Sequence, residues 1–145
     1  RAYMDLARTE GEKSSDWWRR VGAIVPLTSA SDFSVSDFDL AAHNTHMPSE
    51  YSPYAYGDIR DFIPAGQNND VCSAIHAEKA IICEAARRGI PLQGKHIYTS
   101  VFPCPDCARW IARTGIKKCF YGSGHASLDG EKNLKAYGVE IIYVK

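Results

Sequence analysis

Two short clusters limit what this chain can fold into more than anything else in it: His76-Ala77-Glu78 and Pro103-Cys104-Pro105-Asp106-Cys107. Between them lie an apolar, alanine-rich segment from Ala80 to Ala86, closed by Gly89, and then the strand-like run His96 to Val101. The order is helix, turn, strand, turn, helix. Ala77, Ile81 and Ala85 recur at helical spacing, so the first helix opens at His76. Pro105 suits the first helical position, which puts the second helix start just after Cys104. Both clusters therefore sit at helix N-termini, where the positive end of the dipole and the exposed N–H groups favour thiolate over thiol. Residues two apart on a helix diverge by roughly 200°, so Glu78 does not point where His76 points.

The pattern collects three metal ligands, His76, Cys104 and Cys107, and one carboxylate, Glu78, that is not a ligand. A catalytic zinc site uses three protein ligands and keeps its fourth position for water. A carboxylate beside that position is placed to shuttle protons. Two other readings use the same residues. Cys104-Pro105-Asp106-Cys107 at a helix start after a strand could be a redox pair, which leaves His76-Ala77-Glu78 without a role. A closed structural zinc site would need a fourth ligand from Cys72, Cys83, His43, His46, His96 or His125, and none of these has motif spacing to the others.

Taken jointly, the two clusters resemble the H-x-E…P-C-x-x-C signature of the zinc-dependent cytidine and deoxycytidylate deaminase superfamily. Phe102-Pro103-Cys104 resembles the deoxycytidylate branch, and the likeness runs from Val21 to the end of the chain. The resemblance implies one zinc per chain and hydrolytic deamination of a cytosine nucleotide, dCMP to dUMP plus ammonia. It implies that Glu78 moves protons between water, ring N3 and the departing amine. Backbone groups around Ala77 and Ser100 would meet the base edge, Phe102 would line the base pocket, and the protein would be a homo-oligomer. Asn44 resembles the family's sugar-contacting Asn, although Thr45 stands where the family has Gly; a loop Asn capping a turn is the alternative.

Bulk properties narrow the function classes. At 145 residues the chain is one deaminase domain, and its start at Arg1 suggests a trimmed or longer parent. It has no apolar run of about 18 residues and no signal-peptide layout, so a soluble, cytoplasmic protein without membrane contact is expected. Five cysteines, an odd count, fit a reducing compartment, with Cys72, Cys83 and Cys119 expected to face the core. Lys plus Arg equals Asp plus Glu at 17 each. That balance argues against a large phosphate-backbone footprint and for a small-molecule nucleotide rather than nucleic acid. A nucleic-acid deaminase of the tRNA adenosine type and a non-catalytic zinc domain are the alternatives.

The remaining elements follow in order. Residues 1 to about 18 form a helix, interrupted by Gly11 and ending near Ser14-Ser15-Asp16. Val21 to Val25 and Phe38 to His43 are strands around a polar turn, Asp32 to Asp37, hence a hairpin. Residues 45 to 70 lack periodicity but carry Tyr51, Tyr54, Tyr56 and Phe62 between prolines. Long aperiodic loops of this kind are commonly functional, here a rim over the pocket or an oligomer contact. Helix 77–88, strand 96–101, helix 105–114 closed by Gly115, strand 118–121, helix 129–137 and strand 140–145 complete the chain. Alternating elements imply a sheet covered by helices on both faces. The helix before the final strand lets that strand run parallel to its predecessor. The expected fold is α/β, a three-layer α/β/α arrangement with a central mixed five-stranded sheet whose last two strands are parallel, cytidine deaminase-like. The paired arginines and lysines are expected to be solvated faces, Trp110 to pack, and His125 either to touch a phosphate or to be a solvated loop residue.

Overall fold

The structure, a computed structural model, describes residues 1–27, 39–64, 67, 72–124 and 128–145. Helix α1 (Ala2–Glu12) precedes strands β1 (Gly22–Val25), β2 (Leu40–His43) and β3 (Thr45–His46). Helix α2 (Ser52–Tyr56), a 3-10 turn (Ile59–Phe62) and strand β4 (Ala74–Ile75) follow. The remainder alternates as α3 (Ala77–Arg88), β5 (His96–Thr99), α4 (Pro105–Arg113), β6 (Lys118–Tyr121), α5 (Leu128–Ala136) and β7 (Glu140–Tyr143).

Five strands form one sheet in the order β2-β1-β5-β6-β7. β1 is antiparallel to β2 and to β5, whereas β5, β6 and β7 run parallel with Tyr98, Phe120 and Ile142 in register. The mixed five-stranded sheet with a parallel final pair is therefore the expected one, its last crossover made by α5. Side chains alternate between the faces along each strand. Ala23, Val25, Ile97 and Cys119 point to the core shared with Ile81 of α3, Ile111 of α4 and Leu134 of α5. Gly22 and Tyr98 point to the other face, where Gly22 meets α1 and the Tyr3 and Tyr98 rings lie 5.1 Å apart. Helices thus cover both faces. Among the described residues, no helix is long and apolar enough to cross a membrane.

Gly11 does not interrupt α1, contrary to the reading from sequence; it lies inside the helix and is buried. A Cβ there would stand 2.8 Å from the Gly22 nitrogen. A Cβ on Gly22 would strike the Ala7 carbonyl oxygen and the Gly11 nitrogen. Two glycines facing each other let helix and strand backbones touch. Gly22→Ala is consequently expected to destabilise the fold at or above the roughly 1–3 kcal/mol usual for overpacking, because the opposing atoms are backbone. A thermal melt should show a loss of several degrees, and a midpoint within about 1 °C of wild type would contradict the contact.

Other differences are local. The stretch after residue 44 is not featureless: β3 pairs antiparallel with β4, Thr45 opposite Ile75 and His46 opposite Ala74. That short ladder brings residue 44 beside residue 76. Trp110 is 51 % exposed rather than packed, with the Lys79 ammonium 5.9 Å from its ring centre. Of the three cysteines expected to face the core, Cys119 is buried, Cys72 half-buried and Cys83 exposed. The polar turn 32–37, Phe38, most of 67–70 and His125 lie outside the described residues.

Candidate active site

The start of α3 is set by local geometry. His76 takes an extended backbone (φ −69°, ψ 149°) and caps the helix, while Gly89 ends it in the left-handed region at φ 64°. Cys104 caps α4 in the same way, with Pro105 first in the helix and the Cys104 sulfur accepting the Cys107 N–H at 3.4 Å. α4 follows the carboxyl end of β5, the usual place for a site in an open α/β sheet. A Lys79–Asp106 ion pair braces the first turns of the two helices against each other.

This packing brings the predicted ligands together. The His76 Nδ1 lies 3.5 Å from the Cys104 Sγ and 3.4 Å from the Cys107 Sγ, and all three donor atoms fall within 4.8 Å of one another. Zinc–sulfur bonds near 2.3 Å and zinc–nitrogen bonds near 2.0 Å, at tetrahedral angles, give an S···N edge of about 3.6 Å. The cluster has the dimensions of a three-ligand zinc site. Among the described residues no fourth His, Cys, Asp or Glu joins it. His43 instead bridges Glu10 and Glu50, and His46 meets Ser73 and Asp16. The hydrogen bond with Cys107 holds the Cys104 thiol down at about 4, with His76 adding to the effect. Cys107, bonded to Cys104 and buried, is pushed up, and His76 is raised chiefly by its bond to Cys104. A cation bound there would compete with protons for the cluster's sulfur and nitrogen donors.

Glu78 is 3 % exposed, on the first turn of α3. Burial raises its carboxyl above the ordinary range. It lines a cavity of about 420 Å³ together with His76, Phe102 and Cys104, and Asp16, Trp18, Arg19, Asn44 and Arg60 form a further part of its wall.

The expected substrate contacts fare differently. Phe102 is buried, stacked edge-on against Tyr121 at 4.9 Å, and lines the cavity. Ala77, fully buried between His76 and Glu78, opens α3 and so carries an N–H without an intrahelical acceptor. Asn44 lines the cavity, yet its amide is engaged: Oδ1 accepts the Val21 N–H at 2.8 Å, and Nδ2 donates to Asp16 Oδ2 at 3.1 Å and to the Arg19 carbonyl at 2.8 Å. Ser100 departs from expectation. Its N–H donates to the Gly22 carbonyl, its carbonyl accepts from the Ser123 hydroxyl, and its own hydroxyl accepts from the Gly22 N–H. The two bonds to Gly22 extend the pairing of β5 with β1, and Val101 rather than Ser100 lines the cavity. Asp16, Trp18, Arg60 and the Lys79–Asp106 brace carry no motif spacing and were not legible as site residues.

The zinc-binding region of the cytidine and deoxycytidylate deaminases matches this chain over residues 1–123. The chain belongs to that family. A deoxycytidylate deaminase of Enterobacteria phage T2 is 51 % identical over 47 residues, 32 % of this chain and 25 % of that enzyme. The chain thus aligns with about a quarter of that relative's length. An uncharacterized deaminase of Aliivibrio fischeri is 27 % identical over 119 residues, 81 % of this chain and 68 % of that protein. In fold, the chain is similar to the dCMP deaminase of cyanophage S-TIM5, solved in apo form, with TM-score 0.69 and 25 % identity, over 99 % of this chain and 94 % of that one. Family membership accounts for the ligand spacing, and the fold likeness extends over nearly the whole chain.

Proposed function

We propose that this chain is a single-domain, zinc-dependent deaminase that hydrolyses the exocyclic amine of a free cytosine nucleotide, with dCMP, giving dUMP and ammonia, as the leading substrate. The observation that carries the reading is the buried Glu78 carboxyl group in one cavity with His76 and Cys104, whose donor atoms cluster with the sulfur of Cys107. His76, Cys104 and Cys107 would hold one zinc per chain, which when bound makes hydroxide available from water near neutral pH. Glu78 accepts the proton released from water and delivers it to ring N3 as a C4–O bond forms. It then takes the proton of the new C4 hydroxyl and passes it to the amine as the C4–N bond breaks and C4=O forms. The raised carboxyl suits both halves of that cycle, since a group must take a proton and give it back near the working pH. Phe102 packs on the base, the Ala77 N–H meets its edge, and Asn44 offers the sugar the second lone pair of its Oδ1. Arg19, which lines the same cavity as Asn44, is the candidate for a phosphate contact.

A phosphate contact of this charge-assisted kind contributes about 1.5–3 kcal/mol. Deoxycytidine should therefore react at least about tenfold less efficiently than dCMP, tenfold being about 1.4 kcal/mol. The measurement compares kcat/KM for deoxycytidine, dCMP, dCTP, CMP and a tRNA anticodon stem-loop at one salt concentration. Trp17, Tyr54, Tyr56 and Phe62 are exposed aromatics of a kind a single strand could stack on. The zero net charge argues the other way. Preference for the stem-loop would overturn the substrate class, and failure to release ammonia from any of the five would favour a non-catalytic zinc domain. A homo-oligomer is part of the proposal, to be read from sedimentation.

A further inference from the structure

One part of the cavity wall is assembled around one carboxylate. Asp16 is 1 % exposed. Its Oδ1 accepts the backbone N–H groups of Trp18 at 2.7 Å and Arg19 at 3.1 Å. Its Oδ2 accepts from Asn44 Nδ2 at 3.1 Å and from the Arg60 guanidinium at 3.1 Å, and lies 3.3 Å from His46 Nε2. A carboxylate offers about four lone-pair sites, so this one is saturated. The groups it gathers come from three separate stretches of chain, and four of their residues, Trp18, Arg19, Asn44 and Arg60, line the cavity that Glu78 also lines.

The wall is stiffened further from outside. The Arg60 Nε donates to both Asp58 oxygens at 2.9 and 3.0 Å, and its guanidinium lies 5.7 Å from the Trp18 ring centre. The Trp18 indole N–H donates to Asp61 at 3.0 Å. Arg60 is thus shared between two carboxylates, which makes it a strut of the wall rather than a free cation for an anionic ligand. None of these bonds involves His76, Cys104, Cys107 or Glu78.

We propose that Asp16 is a positioning residue that holds Trp18, Arg19, Asn44 and Arg60 as one preformed wall, so that the cavity receives its substrate without reordering these segments. The proposal rests on the deaminase reading above. A wall that contacts substrate equally before and during reaction contributes to KM and not to kcat. Its rigidity matters because ordering several side chains on binding would otherwise be charged against affinity.

The test is Asp16→Asn in the full chain, assayed with whichever cytosine nucleotide the wild type turns over best. Asparagine keeps one oxygen for the Trp18 and Arg19 N–H groups but sets an NH2 against the Asn44 amide and the Arg60 guanidinium, donor against donor in a buried place. The expected result is a KM raised at least about tenfold, kcat within about threefold and an unchanged zinc content. Arg60→Met, a change at a partly exposed residue, should raise KM by about three- to tenfold, and the double variant by less than the product, since the two share one network. If Asp16→Asn does not fold, Arg60→Met decides. KM within about twofold of wild type, or a loss confined to kcat, overturns the proposal. A role in stability alone would lower the melting point and leave KM where it was, and so also overturns it. A wild type inactive on every cytosine nucleotide fails the deaminase reading and takes this proposal with it, an outcome separate from an active wild type with an unaltered variant.

Discussion

Glu78→Gln is expected to retain zinc and fold while losing nearly all turnover. Glutamine matches the carboxylate in shape and can still hydrogen-bond, but it cannot take a proton from water or return one to nitrogen. Removing a general acid–base group alone costs about 10²- to 10⁴-fold, and Glu78 is asked to act on several protons in one cycle, so the loss should lie at the upper end. Stability should move the other way. Burial raises the folded-state carboxyl above its ordinary value of 4.5. A group with a raised folded value binds its proton more tightly in the folded chain, so in the metal-free protein its contribution is fully present below pH 4.5 and is lost as pH rises through the folded value. The metal-free glutamine variant should lack that pH dependence and equal or exceed wild type in stability at neutral pH. Steady-state ammonia release, zinc analysis and melts across pH are the measurements. Turnover within about tenfold of wild type would give the shuttle to another residue.

Cys104→Ala is expected to empty the zinc site and loosen the ends of two helices together. The sulfur has two roles: it is the low-lying thiolate of the cluster, and it accepts the Cys107 N–H at the first turn of α4. Its loss leaves one imidazole and one sulfur, too few donors for a tightly held ion. A ligand bound only by the folded state stabilises it by about 2.7 kcal/mol at a hundred times its dissociation constant. Wild type should therefore melt lower once chelator is added, while the variant should already melt low and not respond to chelator. Elemental analysis showing full zinc occupancy in Cys104→Ala would overturn the ligand assignment. Lys79 and Asp106 keep the two helix starts braced, so the variant should still fold.

What could be known without coordinates was whatever depends on neighbours in sequence. The starts of α3 and α4 follow from local signals, the helical spacing of Ala77, Ile81 and Ala85 and a Pro after Cys104, so the three candidate ligands and Glu78 were legible as a set. The parallel run of β6 and β7 was legible too, because a helix-length connection between two strands permits that direction. The tertiary structure decided what depends on partners distant in the chain. Gly11 resembles a helix breaker until Gly22 is seen against it, where only the absence of a Cβ lets the backbones touch. Ser100 was named from its position along the chain, but which backbone groups a strand leaves free depends on its neighbours in space: β1 takes the Ser100 N–H and the Ser123 hydroxyl its carbonyl. Trp110 lies off the face of α4 that buries Cys107, Ala108, Ile111 and Ala112, and Cys83 off the face of α3 that buries Ala77, Ile81 and Ala85, so both turn to solvent. Asp16 stands in a stretch without period or motif. Its partners at 44, 46 and 60 reach it because a two-residue ladder and a single 3-10 turn fold back over the cavity, contacts too short to leave a repeating pattern in the sequence.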